Sequence, residues 1–193
     1  MKTMFILISS VLALISPIIY AKAILRGDAK PHRTTRFTIL LTTVIGTASL
    51  LASHNTVAVW LAGVSALQAI FIFTLSIKHG MGGWSKSDIS CLAISIVGII
   101  LWQTTNNPLL ALYASIVADF TGMVPALIKT YHFPKTEVWS FYLLDVFAGL
   151  FSAIAVQRWT ISEISYPLYI VLINFAMVLL VIRPRLFRNQ EGN

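Results

Sequence analysis

Charge is scarce in this chain. Asp, Glu, Lys and Arg make up 11% of its 193 residues, against about a quarter in an ordinary soluble domain. With 57% of residues hydrophobic and a mean hydropathy of +0.81, one small core cannot hide the apolar side chains. Lipid is therefore the expected solvent. Cysteine is nearly absent: the single Cys91 permits no internal disulfide and sits in an apolar run, as a buried thiol would. Histidine is sparse as well. His32, His54, His79 and His132 fall at helix ends or loops without ligand spacing, so neither a metal nor another cofactor is expected. No glycine-rich phosphate loop and no nucleophile elbow is present, and a membrane enzyme would have only paired carboxylates to work with. The chain is not expected to be an enzyme. The last apolar run contains no lysine, which excludes a retinal-binding receptor. The formal charge of +7 comes from cations at the ends of apolar runs rather than in one patch, so nucleic acid is not the expected partner.

What the chain does have is seven apolar runs, at about 4–25, 35–52, 57–77, 89–103, 108–129, 138–156 and 161–182. Most reach the ~20 residues that a membrane span requires. The fourth is the shortest and carries Asp88 at its edge. The fold class predicted is an all-α polytopic membrane protein with seven transmembrane helices and no room for a soluble domain. Lys2, the first run and Ala21-Lys22-Ala23 imitate a cleavable export signal. Cationic loops argue against cleavage. With the N-terminus outside, 12 of the 14 Lys and Arg fall on the inner side, and only Lys2 and Arg158 stay outside. The expectation is a retained first helix and a cytoplasmic C-terminus, in a cell membrane of the bacterial inner type. Trp60, Trp102 and Trp159 fall near outer ends and Trp84 and Trp139 near inner ends, an aromatic belt in contact with membrane lipids. The stretch Gly80-Met81-Gly82-Gly83 is expected to be a flexible connection.

The stretch from Asp119 to Asp145 concentrates the chemistry. Asp119 precedes Lys129 by ten residues, and Asp145 follows Lys135 by ten. At about 1.5 Å per helical residue, each carboxylate lies ~15 Å from the basic face, near mid-depth in a core ~30 Å thick. Gln68 stands ten residues from Lys78, Asn174 nine from Arg183 and Thr42 nine from Arg33, so they share that level. Ionisable groups at such depth default to a functional hypothesis. A carboxyl that is dry in one state and hydrated in another takes up and releases a proton between them, which suits proton coupling or recognition of a cationic group. The alternative is structural: either Asp caps the backbone break near Pro125 or bonds a nearby Tyr or Thr, and the amides serve helix packing. Tyr142, one turn from Asp145, is a candidate ligand contact or a core residue.

An offset of 103 residues aligns Pro31 with Pro134, Leu40-Leu41 with Leu143-Leu144, Gly46 with Gly149 and Thr42 with Asp145. Pro17 matches Pro125 if the first connection carries a few extra residues around Gly27-Asp28, and a slightly larger offset pairs Gln68 with Asn174. The fourth run has no counterpart. A 3+1+3 arrangement follows: residues 1–80 as one three-helix unit, 81–106 as a linker helix, and 107–193 as the second unit with a short tail. An odd linker makes the two bundles parallel. Pro17 and Pro125 are matched kinks and candidate hinges.

Val124-Pro125-Ala126-Leu127-Ile128-Lys129-Thr130-Tyr131, then Lys135-Thr136-Glu137 and Ser140-Phe141-Tyr142-Leu143-Leu144, resembles the PQ-loop of the SWEET, SemiSWEET and PQ-loop transporter superfamily. Ala126 stands where that motif has Gln, and the first half has Pro17-Ile18. The resemblance implies parallel three-helix bundles, an outside N-terminus and alternating-access movement of a small solute, proton-linked in some relatives with intramembrane aspartates. It also implies an amide from the third helix of each bundle at the binding site, here Gln68 and Asn174. The expected function is transport of a small polar or cationic solute, with protons as a second partner and room for a homo-oligomer. The alternative is a sensor or complex subunit that uses the same scaffold without transport.

Overall fold

The computed structural model describes residues 2–52, 56–105, 108–156 and 159–188. His54 and Arg158 lie outside the described residues, as do the side chains of Trp60 and Trp102 and the surroundings of Gly46. Within the described residues the chain is all-helical: α1 (Lys2–Arg26), α2 (Arg33–Ala52), α3 (Thr56–His79), α4 (Lys86–Thr104), α5 (Pro108–His132), α6 (Trp139–Ala155) and α7 (Ile161–Arg188). A short 3-10 turn, Pro134–Thr136, joins α5 to α6. Each expected apolar run coincides with one helix, and only 138–156 overshoots, by one residue at each end.

Among the described residues, two stretches, Thr3–Arg26 and Ile164–Pro184, are long and apolar enough to cross a membrane, and Ala66–His79 and Trp139–Ala155 are apolar but shorter. The sorting of side chains points the same way. Leu7, Ile18, Leu67, Ile77 and Leu172 are 58–68% exposed, whereas Ser16, Thr38, Ser76, Ser95 and Thr130 are at most 1% exposed. Water sorts residues in the opposite sense. Helices whose outer faces meet hydrocarbon, and whose contacts use small residues and hydroxyls, sort them this way.

The chain gathers into two compact units, Met1–Ala29 with Leu127–Asn193, and Lys30–Ala126. In the first, α1 packs on α6 and α6 on α7. Tyr20 stacks on Phe141 at 4.3 Å between ring centroids, and Phe5 on Phe151 at 5.9 Å. Gly149 permits the α6–α7 approach: a Cβ there would stand 2.8 Å from Val171 Cγ2. In the second unit α2 packs on α3 and α4. Gly122 of α5 lies against Thr38 of α2, and Gly98 of α4 against Ala118 of α5.

This grouping differs from the consecutive division 1–80, 81–106 and 107–193. The reason lies in α1, whose polar residues find partners on and before α6. Ser9 donates to the carbonyl of Ala148 at 2.8 Å, Ser16 to Asp145 at 2.6 Å and Tyr20 to Glu137 at 2.8 Å. The chain passes from one unit to the other twice, at Ala29–Lys30 and at Ala126–Leu127, the second immediately after Pro125 inside α5.

The glycine stretch at 80–83 is fastened, contrary to the expected flexible connection. Met81 N–H bonds the carbonyl of Pro31 at 3.0 Å, and Arg33 Nη1 bonds the carbonyl of Gly82 at 3.1 Å. Gly82 adopts φ +70°, and a Cβ on it would collide with the His32 imidazole. A left-handed conformation costs a side-chain-bearing residue about 1–2 kcal/mol. Gly82→Ala should therefore lower the thermal midpoint of the detergent-purified protein by roughly 2–8 °C. An unchanged midpoint would mean that the loop adds nothing to the unit's stability.

Candidate functional site

The turn between α5 and α6 carries an ionisable group to the inside. Phe133 N–H closes on the carbonyl of Lys129 at 2.7 Å, and the fixed φ of Pro134 starts the 3-10 turn. Thr136 Oγ1 bonds back to the carbonyl of Phe133 at 2.7 Å. Glu137 follows and is 5% exposed. Its carboxylate pairs with the Lys129 ammonium, itself 5% exposed, and accepts bonds from Tyr20 Oη at 2.8 and 3.1 Å and Tyr142 Oη at 2.9 Å. One carboxylate thus joins α1, the end of α5 and α6. A buried charge needs such partners, since removing one half of a buried pair costs about 3–5 kcal/mol. Arg183 of α7 closes the same end: its guanidinium lies 4.2 Å over the Tyr131 ring and donates to the Tyr131 carbonyl at 2.7 Å.

One helical turn further along α6 stands Asp145, half-buried. Ser16 Oγ donates to its Oδ1 at 2.6 Å. Ser16 is 1% exposed and immediately precedes Pro17, which has no N–H for the carbonyl of Ala13. The acid is therefore in direct contact with the residue that precedes the proline of α1. Asn174 on α7 is 8% exposed and donates through Nδ2 to the carbonyl of Ile170 on its own helix at 2.9 Å.

The predicted site residues divide evenly between the units. Asp145, Tyr142, Asn174 and Pro17 belong to the first; Asp119, Gln68, Thr42 and Pro125 belong to the second. Each unit thus receives one of the two predicted acids, one of the two predicted amides and one of the two predicted hinge prolines. In the second unit Asp119 and Gln68 are half-buried, and Thr42 Oγ1 bonds the carbonyl of Ile39 at 2.9 Å. Ser95 of α4 and Thr121 of α5 share a hydroxyl bond at 2.8 Å. A further ionisable pair stands at the start of α4. Ser85 and Asp88 form a reciprocal cap, and His32 Nε2 lies 3.6 Å from Asp88 Oδ1, both residues being 5% exposed.

Sequence reasoning missed Glu137 and Lys129 as a site, reading the first as part of a motif and the second as a topology marker. The available signal was Glu137 itself, an acid placed after a proline turn and five residues before Tyr142. No family model matches this chain, and neither a curated protein nor a solved structure does, so its function has to be read from these residues.

Proposed function

We propose that the chain is a seven-span transporter of a small polar or cationic solute. It works by alternating access in a bacterial cell membrane, with its N-terminus outside and its C-terminus in the cytoplasm. Kinship with the SWEET, SemiSWEET and PQ-loop superfamily is part of the proposal. The internal duplication is proposed as 3+1+3 with its first helices exchanged. In that scheme α1 serves with α6 and α7, α5 serves with α2 and α3, and α4 links the repeats.

The observation that carries this reading is the 2.6 Å bond between Ser16 and Asp145 beside Pro17. A mid-span carboxylate that gains or loses a proton, or a cationic solute, changes its hold on the residue before a helix break. That couples occupancy to bending. Pro125 supports the same reading, because the chain leaves one compact unit for the other just after it. In this scheme Asp119, Gln68 and Thr42 supply solute contacts in one unit, and Asp145, Asn174 and Tyr142 supply them in the other.

The test is flux by the purified protein in vesicles, with amines, amino acids and sugars offered across an imposed pH gradient. Uptake of one class that follows the gradient supports the proposal. Silence across all classes returns the chain to a non-transporting scaffold. Pro125→Ala, made in a Cys91→Ser background, should slow exchange between inward and outward accessibility of introduced cysteine reporters. Identical labelling kinetics would reject the hinge.

A further inference from the structure

Within the second unit, a cavity of about 310 Å³ opens among α2, α3 and the start of α4. It is at the lower end of the size range of small-molecule sites, about 300–1,000 Å³. Its wall is formed by Phe37, Phe73, Ile77, Ile89 and Leu92, with the two phenyl rings 5.5 Å apart. Ile77 and Ile89 are 58% and 51% exposed, so the apolar wall continues onto the outer surface. Arg33 and Trp84 also line it, and Trp84 is 77% exposed at φ +74°. Arg33 Nε and Nη1 bond the carbonyls of Ile77 and Gly82, and its Nη2 makes neither bond. Two further exposed cations lie close to lining residues in the chain: Lys78 follows Ile77, and Lys86 stands two residues from both Trp84 and Asp88. The acid in the lining, Asp88, is held from its other side by the Ser85 N–H at 3.0 Å and faces His32.

An apolar slot that runs out to the surface, is edged by an arginine and an exposed tryptophan, and has two exposed lysines close by in the chain has the chemistry of an anionic amphiphile's complement. Basic pockets between helices on the cytoplasmic side recognise acidic headgroups, and tryptophan settles at headgroup level. We propose that this cavity is a binding site for an anionic phospholipid of the inner leaflet, one acyl chain lying against Phe37 and Phe73 and the phosphate meeting Arg33, Lys78 and Lys86. The site depends on the membrane placement proposed above and does not depend on transport.

Lipid retention by the full chain in detergent, read by native mass spectrometry, tests the proposal with phosphatidylglycerol, phosphatidylcholine and inorganic phosphate as separate probes. Phosphatidylglycerol should be retained in preference to phosphatidylcholine, and inorganic phosphate alone should neither bind nor compete. Lys86→Gln, at an exposed position, should weaken phosphatidylglycerol retention about fivefold and leave phosphatidylcholine unchanged. Ile89→Trp should fill the slot and abolish the preference without altering charge. Equal retention of the two lipids, full retention by Ile89→Trp, or competition by phosphate alone would each overturn the lipid site. A protein that fails here and still moves solute leaves the transport proposal standing. One that selects the anionic lipid and moves nothing leaves this site standing.

Discussion

Lys129→Met should lower the thermal midpoint of the detergent-purified protein by on the order of 10 °C, and adding Glu137→Gln should restore most of that loss. The single change leaves the Glu137 carboxylate buried with two phenol donors and no counter-charge. Breaking a buried pair from one side costs about 3–5 kcal/mol, and each kcal/mol moves the midpoint of a chain this size by about 2–4 °C. In the double variant the Gln carbonyl still accepts from Tyr20 and Tyr142, and no unpaired charge remains. The two substitutions should therefore show a large favourable coupling in a double-mutant cycle. Strictly additive losses would mean that the two charges do not rely on each other.

Asp145→Asn should leave the fold intact and reduce solute flux at least tenfold, with its dependence on a pH gradient gone. Asn keeps an oxygen for the Ser16 hydroxyl, so the α1–α6 contact survives while the charge and the proton site disappear. Ser16→Ala makes the converse change. It keeps the carboxylate and removes its link to the residue before Pro17, so binding should persist while turnover falls. Flux in vesicles and ligand-induced stabilisation separate the two variants. Unchanged flux in Asp145→Asn would take that residue out of the transport path.

The helices were legible because the apolar residues gather into long runs and the cations of this chain punctuate them. Lys78, Lys86, Lys129 and Arg183 each stand near a helix end. Even the short fourth run becomes a full helix, since Ser85 and Asp88 provide the cap that its sequence carried in plain view. Partner choice was not legible. A helix such as α1 exposes Leu7 and Ile18 on faces as apolar as those it buries, so the sequence has no contrast to reveal which side packs. Its polar contacts make the distinction: Ser9 and Ser16 bond to α6, and Tyr20 bonds Glu137 just before it. The site was half legible for the same reason. Depth counting put Asp145 forward as a candidate, but whether Tyr142 would turn toward Asp145 or toward Glu137 depends on rotamers that spacing does not encode.

The grouping of α1 with the last two helices has a consequence for biogenesis. Residues Lys30–Ala126 form an uninterrupted stretch and can settle as soon as α5 leaves the ribosome. The first helix, by contrast, must wait through more than a hundred residues of further synthesis before Asp145 and Ala148 arrive to receive its hydroxyls. Nascent chains carrying Ser16→Cys in a Cys91→Ser background and arrested before residue 139 should therefore react with a small thiol reagent, and release past α7 should protect that position.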